Sequence, residues 1–321
     1  MAISLVNAKK LSQDKLTDQI IDEFRTSPLL DAIQFDNTVK AQGGRSLSYV
    51  YNRITTQPTA AGRAINNEYS PQEAATTQYT VNLAPIGGSY QIDRVIAEDE
   101  VQLVDHVEFQ STQKAKAAVA LFNDLFINGD VSGNSDPYDG IEKAVTGATT
   151  VLSGSDLSTA ANIKTNYATF LHGLRQLVGK LDGAPTHLLM NNDMYAVFQS
   201  VSDHVPNITF TRNELGDEVG RYGSAILVNM GDKPGTTNPI IATESDGTTD
   251  IYAVRLGLDG VHAVSPEGSK VVRNYLPDFS TPGAVKTGEV ELVTAVAVKA
   301  VKSVGKLTSV IVTAASTGSS S

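Results

Sequence analysis

Hydrophobic positions along this chain follow two different periods, and the switches between them divide it into parts. From Glu98 to Gly129 (EDEVQLVDHVEFQSTQKAKAAVALFNDLFING), Val104, Val107, Ala115, Ala118, Phe122 and Leu125 recur at three- and four-residue steps, broken only at Ser111. That spacing predicts one long helix with a single buried face. Glu98, Asp99, Glu100 and Asp105 crowd its first turns, where the positive end of the helix dipole favours carboxylates. Asn128-Gly129 supplies residue types that end a helix in a left-handed conformation. At about 1.5 Å per residue the helix spans roughly 45 Å, longer than one small domain needs. It reads as a beam.

Ahead of the beam lie two parts. Residues 1–37 form an arm with one amphipathic helix, in which Leu16, Ile20 and Phe24 make a narrow stripe with Ile21 beside it. Thr26-Ser27-Pro28 ends that helix, because the residue before a proline is pushed out of helical geometry. The stripe packs either on its own domain or on a neighbouring subunit. Residues 38–97 alternate instead. Ser46 to Ile54 sets Leu47, Tyr49 and Tyr51 on one side, and Gln78 to Ile96 alternates through Tyr79, Val81, Leu83, Tyr90 and Ile92. Thr55 to Thr77 between them holds two prolines, a glycine and five alanines, and cannot bury a core of its own. The prediction is a long two-stranded projection with a polar tip. A lone hairpin is marginal in water, so this one needs a partner surface. Pro85 with Gly87-Gly88 predicts a bend or bulge in the returning strand.

Behind the beam the pattern is mixed. Asp130 to Ile141 is a turn-rich loop, and Thr159 to Leu181 carries a broad helical stripe that Gly183-Ala184-Pro185 terminates. A strand (His187 to Met190), a helix (Met194 to Val201) and strands at Ala225 to Asn229 and Pro239 to Thr243 follow, the last two separated by a turn segment. Together these predict an α/β unit of about 120 residues. Strands at Asp250 to Leu256 and Ser269 to Leu276 precede the linker Pro277 to Thr287. Gly288 to Val301 then turns almost continuously apolar, as a strand covered on both faces does. The C-terminal tail runs from about residue 307 and ends in the low-complexity AASTGSSS.

Composition narrows the function. The 321 residues carry a net charge of −10 and no basic run longer than Lys9-Lys10, which argues against a surface built to neutralise phosphates. With no cysteine there is no disulfide framework, thiolate nucleophile or zinc-thiolate site. No signal-peptide pattern opens the chain, and its most apolar window, Val290 to Val301, is short and holds Glu291 and Lys299, so no membrane partner is expected. The sequon Asn207-Ile208-Thr209 is read as chance.

Catalytic, metal and cofactor motifs fail one by one. His106, His172, His187, His204 and His262 lack metal-ligand spacing, and Asp203-His204 is better explained as a surface turn. There is no Gly-x-Ser-x-Gly elbow. Gly179-Lys180 and Gly305-Lys306 are each followed by Leu and lack the glycine of a phosphate loop. Calcium fails in the Asp130 loop, where Ser135 and Ile141 occupy the positions that need glycine and glutamate. No catalytic, cofactor-binding or metal residue is assigned, and no enzyme is expected.

The order of parts nonetheless matches something specific, and so does some local wording. Ser27-Pro28-Leu29-Leu30-Asp31 and Phe35-Asp36 close the arm. Thr59, Ala60, Ala61 and Gly62 lead into Arg63-Ala64-Ile65-Asn66 at the hairpin tip. Gly87-Gly88-Ser89-Tyr90-Gln91-Ile92-Asp93-Arg94 lies on the returning strand, and Tyr275-Leu276-Pro277-Asp278 runs on to Gly288-Glu289-Val290-Glu291-Leu292. Over about residues 5 to 305 the chain resembles the major capsid proteins of tailed bacteriophages, with the Hong Kong 97-like fold.

That resemblance implies an α+β structural protein with an N-terminal arm (1–37), an extended hairpin loop (38–97), a peripheral domain with its spine helix (98–145) and an axial domain (146–269). Return strands of the peripheral domain (270–306) and a C-terminal tail (307–321) complete it. It implies a virion capsid, assembled in the host cytoplasm from copies of the chain as pentamers and hexamers. The shell would enclose phage double-stranded DNA without tight specific binding. A separate scaffolding protein, a portal and decoration proteins are the other expected partners, the scaffold separate because the arm begins within about ten residues of Met1. Some members of the family cross-link the shell from a lysine in the extended loop. From Gly44 through Val101 this chain has no lysine, so a non-covalent shell is expected. The rival readings are an encapsulin-type compartment and, from other classes, a phage tail or adhesin protein or an undetected hydrolase.

Overall fold

The computed structural model describes residues 28–39, 44–97, 106–212, 218–268 and 272–313. The expected arm helix lies outside these residues, as do residues 98–105 at the start of the predicted beam. In chain order the elements are α1 (Leu29–Ala32), β1 (Phe35–Asn37), β2 (Ser48–Thr56), β3 (Ala75–Asn82), β4 (Ala84–Asp93), α2 (Arg94–Ala97) and α3 (His106–Asn128). Next come β5 (Thr150–Leu152), α4 (Ala160–Lys180), β6 (His187–Met190), α5 (Asn192–Ser202), β7 (Ile208–Arg212), β8 (Glu218–Tyr222) and β9 (Ala225–Asn229). The chain closes with β10 (Thr248–Val254), β11 (Val261–Ser265), β12 (Arg273–Tyr275), β13 (Val285–Val298) and β14 (Val304–Ile311), with single 3-10 turns at Ile141–Ala144 and Val301–Ser303.

Two sheets and a projecting hairpin organise these elements. In the first sheet the order is β1-β11-β13-β12, with β4 on β13 from Val285↔Asp93 to Thr294↔Ala84. Helix α3 lies on this sheet: Phe122, Leu125 and Phe126 share a buried cluster with Leu292, Ala295 and Val296, and Val107 and Ala115 pack on Tyr90, Ile92 and Val290. Ser111, where the helical stripe breaks, is buried and accepts a hydrogen bond from the Asn274 amide, so the polar interruption ties the helix to β12. Close approach fixes two glycines here. A Cβ on Gly87 would collide with the Val290 carbonyl oxygen, and one on Gly288 with the Tyr90 ring.

The second sheet runs β5-β14-β10-β6-β9-β8-β7, covered by α4 and α5 through Phe170, Leu174, Leu177 and Phe198. Both helices start as their sequences direct: the Thr159 hydroxyl accepts from Asn162 N–H, and the Asn191 side chain from Met194 N–H. The Asn191 amide also donates to the Ile241 carbonyl and to Thr243 and Thr249, so one cap residue anchors a neighbouring loop.

Several expectations need correction. The single strand expected over 78–96 is two strands that part at Leu83. β3 pairs with β2 in the hairpin, and β4 leaves to pair with β13. The Leu83 N–H donating to the Leu47 carbonyl at 2.7 Å closes the hairpin at that point. Pro239 to Thr243 is no strand. It has only isolated bridges at Pro239 and Thr243, and the carbonyls of its buried Ile240 and Ile241 are held by the Asn128 and Asn191 side chains instead of a neighbouring strand. The segment expected over 269–276 is strand only at Arg273–Tyr275, with 269–271 outside the described residues.

The tail expected from residue 307 is also wrong: β14 sits inside the second sheet, antiparallel to β10 and parallel to β5. A bulge opposite Asp250, with Ser309 at φ 61°, puts Leu307 and Val310 both inside at a spacing of three. That spacing hides the strand from an alternation test. Finally, β11 belongs to the first sheet although 146–269 was expected as one unit, so the chain crosses between sheets more than once.

Candidate assembly surface

Hairpin β2–β3 stands off the two sheets, and its root is tied to them at defined points. Cross-strand pairing puts Tyr49, Tyr51, Arg53, Tyr79 and Val81 on one face and Val50, Asn52, Ile54, Thr76, Gln78 and Thr80 on the other. The first face meets the end of β13. The Tyr51 hydroxyl donates to the Val298 carbonyl at 2.9 Å, and the Arg53 guanidinium donates to the Val298 and Lys299 carbonyls at 2.6 and 2.9 Å. Arg53 also lies over the Tyr79 ring at 4.4 Å, and Tyr79 stacks on Tyr51.

Deeper in the root, the Tyr49 hydroxyl donates to Asp36 Oδ2 at 2.6 Å, and Lys299 Nζ faces the same oxygen at 3.8 Å. Burial pulls the Asp36 carboxyl upward, but the Tyr49 hydroxyl, the Asn37 N–H and Lys299 outweigh it and hold the group below its usual value. Burial and the bond to Asp36 push the Tyr49 phenol well above its own. Both groups are therefore locked as neutral phenol and carboxylate.

The opposite face and the tip are open. Val50 and Ile54 are exposed, as is Leu47 just before the hairpin, and Ile65 at the tip is 90% exposed. The tip is ordered without a core. The Asn67 N–H donates to the Ala64 carbonyl across a turn with Asn66 at φ 70°. Arg63 donates to the carbonyls of Ala64 and Asn67 and lies over Tyr69, while Thr59 N–H donates to Gln72 Oε1 across the neck. A polar scaffold thus presents one large aliphatic side chain to solvent.

A second open region lies at the end of the first sheet where β4 stops and β13 begins. Val95, Tyr275, Leu276 and Val285 are all exposed there. These apolar side chains form no site for chemistry. They are surface that a neighbouring molecule can cover.

Several of the groups screened in the sequence are engaged in structural contacts. Asp130 accepts from Ser132 and Gly133 N–H and pairs with Lys143 at 2.8 Å, so its loop is closed by a lysine. His204 stacks on Tyr167, and His172 sits at 3.0 Å from the Gln176 amide. Lys180 donates to the Thr150 carbonyl, and Gly305 packs under Leu177 and Leu181. No group of three His, Asp or Glu residues able to hold a metal occurs among the described residues. No helix among them is long and apolar enough to cross a membrane. The Tyr49–Asp36–Lys299 cluster was missed in the sequence, where its members are scattered over more than 260 positions and no local signal joins them.

Comparison of the whole chain with solved structures identifies the architecture. It matches the holo-SrpI encapsulin complex from Synechococcus elongatus over 98% of both chains, with a TM-score of 0.64 and 14% identity. It matches the capsid of a native GTA particle over 93% of this chain and 95% of that one, with a TM-score of 0.62 and 12% identity. This is a capsid-protein fold. The capsid of Myoviridae phage XM1 matches over 96% of this chain and 99% of its own, with a TM-score of 0.60 and 12% identity. Identity this low shows the fold alone. No family model matches the sequence, nor does any curated protein. The likeness to phage capsid proteins read from the order of parts therefore stands at the level of the capsid fold, and the neighbours with that fold form shells.

Proposed function

We propose that this chain is a phage major capsid protein, which assembles as pentamers and hexamers into an icosahedral shell around double-stranded DNA. The observation that carries the reading is the hairpin: a chain with the capsid fold extends an ordered arm whose outer face and Ile65 tip its own body leaves uncovered. In a closed assembly each copy both covers and is covered, which makes such a projection stable. The seven-stranded sheet with α4 and α5 would surround the fivefold and sixfold axes, and α3 with the first sheet would form the periphery. The net charge of −10 suits a wall that holds packaged DNA without tight phosphate contacts. Scaffolding, portal and decoration proteins are the further partners of this reading.

Because residues 44–101 contain no lysine, the hairpin supplies no amine for a cross-link, and the shell is held without covalent bonds. Denaturing gels of assembled particles should show a monomer band, and a ladder that survives boiling would refute this. The hairpin reading is tested with trypsin. Arg53 and Arg63 offer cleavage sites in free subunits, and assembly should protect the tip site at Arg63. Cleavage at Arg63 at the same rate in shells and subunits would sink it.

An encapsulin-type compartment is the second reading, favoured by the match to the encapsulin complex over 98% of both chains. The contents of native particles separate the two: nucleic acid supports the phage capsid, and enclosed protein supports the compartment.

A further inference from the structure

His262 takes no part in the contacts described so far. It sits mid-strand on β11 opposite Ala297 of β13, fully buried, with no hydrogen bond of normal geometry at either ring nitrogen among the described residues, although the Gly257 backbone lies close enough to favour a proton there. Tyr49 of the hairpin packs edge-on against it at 5.6 Å. The charged and titratable groups around it come from every element that meets at the hairpin root: Asp36 on β1, Tyr49 on β2, Lys299 after β13, and Asp259 in the turn before β11. Burial and Lys299 push the imidazole down to about 4, against weaker opposition from Asp36, the Gly257 backbone and Asp259. At neutral pH the ring is an uncharged spacer beneath Tyr49.

A proton on that ring changes the competition for Asp36. The carboxylate now accepts the Tyr49 hydroxyl at 2.6 Å and faces Lys299 at 3.8 Å. An imidazolium carries two N–H donors, of which the Gly257 backbone can take one, and a buried cation is stabilised further by an anionic partner. Asp36 lies on the strand next to β11 and is already coupled electrostatically to the ring. We propose that the hairpin root is an acid-sensitive hinge, in which protonated His262 draws Asp36 away from Tyr49 and frees the hairpin to swing. The bonds from Tyr51 and Arg53 to β13 remain, so the hairpin stays attached, but a two-stranded ribbon without support behind it is marginal and its cross-strand bonds open more often.

The sign follows from linkage. His262 holds its proton less tightly in the clamped state than a free imidazole does at about 6.5. The clamp therefore weakens through His262 as pH falls from about 6.5 to about 4, and below about 3.8 protonation of Asp36, whose carboxyl the clamp holds below its usual value, weakens it further. Use of the hinge to seat the hairpin on a neighbouring copy rests on the capsid reading, whereas the hinge itself does not.

Hydrogen exchange on the full chain at pH 7 and pH 4.5, with rates corrected for intrinsic pH dependence, tests it. The wild type should lose protection in β2 and β3 by tenfold or more at pH 4.5 while β4 paired with β13 keeps its own. His262→Phe retains an aromatic ring under Tyr49 and should remain protected at both pH values. Tyr49→Phe should be weakly protected at both. Equal loss in wild type and His262→Phe, flat protection in the wild type, or joint loss of β2–β3 and β4–β13 would overturn the hinge. Should His262→Phe fail to fold, NMR titration of the His262 ring in the wild type decides. A midpoint well below 6.5, with the Tyr49 ring resonances shifting at the same pH, upholds the hinge; a midpoint near 6.5, or Tyr49 resonances that do not move with His262, removes it.

Discussion

The Tyr51 hydroxyl bonds the Val298 carbonyl at 2.9 Å, joining residues 247 positions apart. One end of the longest strand in the protein thereby holds the root of its only projecting hairpin among the described residues. Arg53 shares the Val298 carbonyl, so the tie is doubled. Tyr51→Phe should then cost only about 1 kcal/mol, the net worth of one hydrogen bond, because the acceptor stays occupied. Arg53→Ala removes two bonds and the contact with Tyr79, and should cost more. Exchange of the β2 and β3 amides checks the order: Arg53→Ala must loosen the hairpin more than Tyr51→Phe does.

Phe126 is fully buried between α3 and the first sheet, in the cluster that contains Leu292 and Val296. Phe126→Ala should cost about 3–5 kcal/mol in urea unfolding. Leu152→Ala, at a side chain that is largely exposed, should stay within about 0.5 kcal/mol of wild type. Similar costs at the two sites would mean that α3 does not pack as described.

Gly87 sits where β4 crosses Val290 most closely. Gly87→Ala should destabilise the protein by about 1–3 kcal/mol by pushing β4 off β13. Gly62→Ala meets open space and should leave stability almost unchanged. Thermal melts of the two variants compare them directly.

Three turns repeat one device. Asp156, Asp246 and Asp278 each accept the N–H and hydroxyl of the Ser or Thr two residues on, at Ser158, Thr248 and Ser280. Those bonds hold each carboxyl below its usual 3.8. Because the folded values are depressed, the stabilisation is complete above about pH 3.8 and fades as pH falls further. Replacing all three by Asn keeps the oxygen that accepts from Ser or Thr and removes the titration, while Asp156→Asn also loses the bond from the Asn162 amide to Oδ2. Acid unfolding of the triple variant should therefore be flatter below pH 4 than that of the wild type, and parallel curves would contradict the assignment.

Local signals in the sequence reached different depths in different elements. α4, α5, β6 and β9 were legible because each carries a helical stripe or a compact apolar run, and α4 also has its stop signal at Gly183-Ala184-Pro185; the caps at Thr159 and Asn191 came from the structure. β14 was not, because the bulge at Ser309 replaces alternation with a spacing of three. Ile240 and Ile241 looked like a strand because periodicity cannot see the Asn128 and Asn191 side chains that let both lie buried in a loop.

The assembly surface was half legible. A segment from Thr55 to Thr77 with too little apolar content for a core marks a projection from composition alone. Its attachment was hidden, since Tyr49, Tyr51 and Arg53 find Asp36, Val298 and Lys299 only once β13 and β1 are folded beside them. The long helix was read as a beam, and its described part, His106–Asn128, bears on β4 and β13 as that reading requires.

Electron microscopy of the purified full chain tests the capsid reading most directly. Closed shells built of pentameric and hexameric clusters are expected, with the β2–β3 hairpin of each subunit lying on its neighbour. Discrete small oligomers or open tubes, with the hairpin projecting free into solvent, would contradict it.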